Sequence, residues 1–114
     1  MLHEAKQKTI RYYVLPSKIS PFKEWFCSLK NSKTKSIVRT RINRVILGNL
    51  GDCRSLGEAI YELKIHYRPG IRLYFGVVED IIIILLLGGT KKSQKQDIEK
   101  AKEYWQDFKN NHLK

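Results

Sequence analysis

In "YELKIHY" the residues Glu62, Lys64 and His66 alternate with apolar ones, and in "IRLYF" Arg72 and Tyr74 do the same. Alternate side chains of an extended chain share a face, so two strands joined by "RPG" at 68–70 would gather all five on one polar surface. Tyr61, Leu63, Ile65, Tyr67, Ile71, Leu73, Phe75 and Val77 would form the apolar reverse. Lys91 and Lys92 come just after an aliphatic run, and Lys95 stands near the start of the following segment. Such a surface could grip a phosphate backbone, with lysine and arginine supplying charge and Tyr74 or His66 offering stacking or hydrogen bonds. Cleaving RNA through its own 2′-hydroxyl needs a base for that proton, cations for the phosphorane and an acid for the departing 5′-oxygen. Arg72 suits the clamp because its charge is permanent and its fork can meet two phosphate oxygens. Lys64, Lys91 or Lys92 could add charge, and a lysine crowded by other cations can also take a proton. Glu62 and His66 are of conventional acid–base type.

Each residue also has a plainer reading. Antiparallel strands commonly solvate one face, and Glu62 could simply pair with Lys64 or Arg72 across the hairpin. A lone histidine is more often a surface residue than a catalyst, and three lysines near a turn can serve solubility alone. No serine–histidine–aspartate arrangement, phosphate-cradling glycine loop or metal-ligand spacing is present, so the enzymatic chemistry these residues favour needs neither metal nor cofactor. Cys27 and Cys53 stand apart without a CxxC and read as idle or buried thiols.

A chain of 114 residues with a 42% apolar fraction suits one domain, taken here as residues 1–114. Its 22 Lys and Arg against 11 Asp and Glu give a net charge of +11, of which +9 falls in residues 1–57 and +2 in 58–114. That imbalance favours a polyanionic partner. The opening "MLHEAKQKTI" lacks the apolar centre of a signal peptide, and no segment approaches a membrane span. A cytoplasmic protein without membrane contact is expected.

The elements follow from periodicity and punctuation. "TIRYYVL" up to Pro16 reads as a strand. Ser20 followed by Pro21 starts a helix carrying Phe22, Trp25, Phe26 and Leu29. A second helix bears Ile37, Val38, Ile42, Val45 and Ile46 and ends near Gly48 or Gly51. Arg41 falls within its apolar arc, its stem expected along the core edge and its head in water. After the hairpin, Ile81 to Leu87 is apolar at every position, the pattern of a strand at or near the middle of a sheet, covered on both faces, that Gly88 and Gly89 end. Ser93 and Gln96 stand at capping-box spacing before a last helix, with Ile98, Ala101, Tyr104, Trp105 and Phe108 on one face, and "KNNHLK" is expected to fray. The expected fold is α+β: a mainly antiparallel four-stranded sheet, two N-terminal helices on one face and a C-terminal helix on the other.

Taken together, "YELK", "PGIRLYF", "LLLGG", "KKSQ" and "DIEKA" resemble, in order and spacing, the RelE/HigB-like toxins of bacterial type II toxin–antitoxin modules, in the phage-derived addiction module killer group. The likeness runs from about Thr9 to Phe108. It implies the RelE/ParE fold, metal-independent cleavage of mRNA, often on the ribosome, with inhibition of translation, and neutralisation by a helix-turn-helix antitoxin. By position, Arg72 matches the arginine that contacts the scissile phosphate, Lys91 and Lys92 the basic pair after the last strand, and Lys64 a basic position on the preceding strand. Lys64, Ile71 and Thr90 stand where relatives commonly have arginine, an aromatic residue and aspartate, and the C-terminal tyrosine of some members has no counterpart near Asp97. The resemblance therefore leaves acid and base unassigned. Its alternatives are a ParE-like DNA gyrase inhibitor and a non-catalytic, degenerate toxin that binds an antitoxin.

Overall fold

The structure, a computed structural model, describes residues 7–112. The opening residues 1–6, read above for a targeting signal, and the last two residues lie outside that span. Along the chain come β1 (Thr9–Tyr12), α1 (Pro21–Ser28), α2 (Ser32–Ile46), β2 (Cys53–Gly57), β3 (Ile60–Ile65), β4 (Ile71–Val78), β5 (Ile82–Thr90), a single 3₁₀ turn (Lys91–Ser93) and α3 (Gln94–His112). The strands form one sheet in the order β1-β5-β4-β3-β2.

That sheet overturns the expected four-stranded, mainly antiparallel RelE/ParE arrangement. The described residues form five strands, and β1 runs parallel to β5, pairing Thr9 with Ile82 and Tyr12 with Leu85. The additional strand, β2, lies antiparallel to β3. It went unread because "CRSLG" is an edge strand with no fully buried position, so no apolar alternation marks it. Its turn also lacks the usual glycine signal: Glu58 and Ala59 adopt positive φ of 53° and 64°, angles that Asn and Gly normally supply in tight hairpins. The turn is held from outside by Trp105 of α3, whose indole N–H donates to the Glu58 carbonyl at 2.7 Å.

The helices begin where the chain supplies caps. The Ser20 hydroxyl accepts from the Lys23 amide ahead of Pro21, and the Asn31 side chain accepts from the amides of Lys33 and Thr34. Gly48, at φ 91°, ends α2. Its amide donates to Val45 and that of Asn49 to Arg44, a Schellman closure that needs a left-handed residue. No capping box opens the last helix. Ser93 sits in the 3₁₀ turn, donating to Asp97 Oδ2 at 2.6 Å, and α3 stays helical through His112 where fraying was expected.

One apolar cluster joins Phe22, Val38 and Val45 of α1 and α2 to Leu63, Leu73, Ile83 and Leu85. A second joins Ala101 and Trp105 of α3 to Ile60, Tyr74, Ile84 and Leu86. β5 is thus buried from both sides, although β4 is the central strand. Gly88 and Gly89 do not end β5, which continues to Thr90. A side chain at Gly88 would collide with the Trp25 ring, and one at Gly89 with the Asp97 carboxylate; both glycines admit a neighbour. No helix among the described residues is long and apolar enough to cross a membrane.

Candidate phosphate-binding site

The hairpin register sets Glu62 opposite Tyr74 and Lys64 opposite Arg72, with Gly89 of β5 on the other side of Arg72. Two cations directly opposite each other destabilise a strand pair, and the nearby carboxylate is shared with other donors. Glu62 is fully buried. Its Oε1 accepts from Arg54 Nε at 2.7 Å, and its Oε2 accepts from Gln94 at 2.8 Å and from the Tyr74 hydroxyl at 3.1 Å. Burial pushes the Glu62 carboxyl up, but the hydrogen bonds from Arg54 and Gln94 and the Arg54 charge outweigh it, and the net shift is downward. Tyr74 moves the other way, raised by burial and by the Glu62 charge. The pair is therefore a carboxylate and a neutral phenol.

Arg72 is suspended from this anchor. Its Nε lies 3.8 Å from Glu62 Oε2, an ion pair beyond hydrogen-bonding reach, and that buried nitrogen has no hydrogen-bond partner among the described residues. Its Nη1 approaches the Gly70 carbonyl at 3.4 Å, which also accepts from the Lys91 amide at 2.8 Å. The hairpin turn thereby brings the 3₁₀ turn carrying Lys91 and Lys92 against the arginine. Lys91, Lys92 and Lys95 are exposed and Lys64 is half-buried. Ion pairs among the described residues engage Lys8, Arg54, His66, Arg72 and Lys109, leaving Lys64, Lys91 and Lys92 outside them.

The structure therefore gathers Lys64, Arg72, Lys91 and Lys92 at one end of the sheet, and it separates the other sequence candidates by role. Glu62, read as of acid–base type, and Tyr74, read as stacking on or hydrogen-bonding to substrate, are enclosed and lie beside Arg72. His66 is turned away to Asp52, its Nε2 at 2.5 Å from Oδ2 with both side chains largely exposed, and this contact holds the Asp52 carboxyl below its ordinary range. Sequence reasoning missed Arg54, Gln94 and Asp52. Arg54 lies on the unread β2, and nothing in their spacing relates Gln94 to Glu62 or Asp52 to His66. Among the described residues no group of three or more His, Cys, Asp and Glu side chains could hold a metal ion.

Fold and site define a small protein with a mixed five-stranded sheet, helices on both faces and a cationic cluster anchored on a buried glutamate. No family model matches the chain. It is 40% identical over 81 residues to an uncharacterized protein of Haemophilus influenzae, a match spanning 71% of this chain and 82% of that protein. The chain belongs to the same family as that protein.

Proposed function

We propose that this protein is a metal-independent endoribonuclease, the toxin of a toxin–antitoxin pair, and that it cuts mRNA in the cytoplasm, on the ribosome, so that translation stops. The supporting observation is the Arg72 guanidinium, fixed by Glu62 and carrying an unpartnered buried Nε beside Lys64 and Lys91. A phosphorane carries more charge on its oxygens than the phosphodiester it forms from, so cations already in place stabilise the transition state more than the substrate. The fold has fixed Arg72 in advance. Lys64, Lys91 and Lys92 attract and hold the backbone, and Lys95 extends the surface. The partner is a helix-turn-helix antitoxin, as the ordered ELK, PGxRxYF, LLLGG and KKSQ elements suggest.

Inducible expression of wild type and Arg72→Ala, with transcript ends mapped after induction, tests this reading. New internal ends that depend on Arg72 are expected. Growth arrest with an unchanged transcript profile would overturn it, and stalled gyrase supercoiling in the same cells would favour the gyrase-inhibitor alternative. Harmless overexpression would instead favour a non-catalytic, antitoxin-binding protein.

A further inference from the structure

Arg41 of α2 is as deeply buried as Arg72, but among the described residues it forms no ion pair, and Asp52, bonded to His66, acts on it through its charge alone. Its Nη2 donates to the Leu50 carbonyl at 2.5 Å, and its Nη1, also buried, has no hydrogen-bond partner among the described residues. Its head was expected in water. Instead the Schellman closure at Gly48 folds residues 49–52 back over it, and Gly51 leaves space that any side chain there would take from the guanidinium. Burial lowers the pKa of Arg41 and the Arg44 charge lowers it further.

A cleft of about 450 Å³ opens beside this arginine, lined by Ser36, Thr40, Arg41 and Arg44 of α2 and by Asp52 and His66. Ser36, Thr40 and Arg44 are spaced four residues apart and form one ridge along α2. The polar lining is thus two guanidinium groups, the Lys64 ammonium, two hydroxyls, the Asn49 amide and an imidazole, beside Ile37 and Ile65, and its one carboxylate, Asp52, is turned to His66. Arg54, Arg72, Gln94 and Glu62 take no part in it. Leaving a buried guanidinium nitrogen unpaired is costly, and a tetrahedral oxyanion matches what surrounds it, because guanidinium forks and hydroxyls together can saturate a phosphate's oxygens.

We propose that the cleft between α2 and residues 49–52 is a phosphate-binding site distinct from the one at Arg72, with Arg41 and Arg44 holding the anion and Ser36 and Thr40 completing its hydrogen bonds. The inference stands without the ribonuclease reading. Lys64 takes part in both places, since it faces Arg72 across the hairpin and also borders this cleft, so a polynucleotide seated at Arg72 has a continuous cationic path to Arg41. The phosphate could equally be free or the terminal group of a mononucleotide.

The test is an amide-resolved NMR titration of the full chain with inorganic phosphate at constant ionic strength, repeated with a nucleoside 5′-monophosphate and with a short single-stranded RNA. Saturable shifts at Ser36, Thr40, Arg44 and residues 49–52 are expected. Arg44→Gln should weaken binding about tenfold, the loss of one charged hydrogen bond, and Arg41→Met should abolish it, while Arg72→Ala leaves the phosphate response unchanged. Tightest binding of the monophosphate would identify a small-molecule site, and tightest binding of the RNA, weakening steeply with salt, a backbone contact; either supports the proposal. No saturable shift in these amides, or shifts that saturate at the same phosphate concentration in Arg44→Gln as in wild type, would overturn it. Arg44 is exposed, so its variant remains informative even if Arg41→Met does not fold.

Discussion

Arg72 and Arg41 are 8% and 9% exposed, and the fold treats them in opposite ways. Arg72 stands over a buried carboxylate that also takes bonds from Arg54, Gln94 and Tyr74. Arg41 has a backbone carbonyl, a glycine-shaped space and the charge of Asp52, itself hydrogen-bonded to His66. A charge removed from water needs compensation, so the difference separates two tasks. Each keeps one buried guanidinium nitrogen without a hydrogen-bond partner among the described residues, but Arg72 has a carboxylate beside it, whereas Arg41 forms no ion pair among them.

Several substitutions would break or sharpen that contrast. The largest effect is expected from Glu62→Ala, which strands the buried Arg72 and removes the acceptor of Tyr74 and Gln94; it should cost about 3–5 kcal/mol of folding free energy, measured by urea unfolding. Arg72→Ala should leave the fold standing and lower RNA cleavage by about 10²–10³-fold in a quantitative cleavage assay. The acid limb of stability comes next. Because the Glu62 carboxyl is lowered in the folded protein, its contribution is fully present above the ordinary glutamate range and is lost as pH falls through the depressed folded value. Urea midpoints between neutral and acid pH should fall more steeply for wild type than for Glu62→Gln. Arg41→Met, which removes an unmet donor along with one bond to Leu50, should change thermal stability by no more than about 1 kcal/mol. A large loss there would mean that Arg41 is a structural residue, as Glu62 is, and not an anion ligand. Smallest of all, His66→Ala should leave the urea midpoint unmoved, because its contact with Asp52 lies in solvent.

The legible parts were those with strong local signals. Ser20 and Pro21 mark α1, the alternation of 60–65 with 71–78 fixes the hairpin face and so the Lys64–Arg72 pairing, and the stripe of Ala101 and Trp105 marks the buried side of α3. The illegible parts depend on partners distant in sequence. β2 is an exposed edge whose turn is held by Trp105, 47 residues away, and β1 pairs parallel with a strand more than seventy positions on, so neither could be seen in a local pattern. The same cause misplaced Glu62. Its alternation correctly put it beside Arg72, but its burial comes from α3, whose Gln94 reaches it across 32 residues. Arg41 was misread because residues 49–52 bury what helix geometry alone leaves at the edge.

The central claim is that the cationic cluster fixed by Glu62 cuts RNA through the RNA's own 2′-hydroxyl. It is tested most directly by adding purified protein to a translating extract and to the bare transcript, with a chelator present, and sequencing the resulting RNA ends. Internal cuts bearing 2′,3′-cyclic phosphate and 5′-hydroxyl ends are expected, insensitive to the chelator and absent with Arg72→Ala. Intact RNA in both settings, or cleavage undiminished in Arg72→Ala, would contradict it.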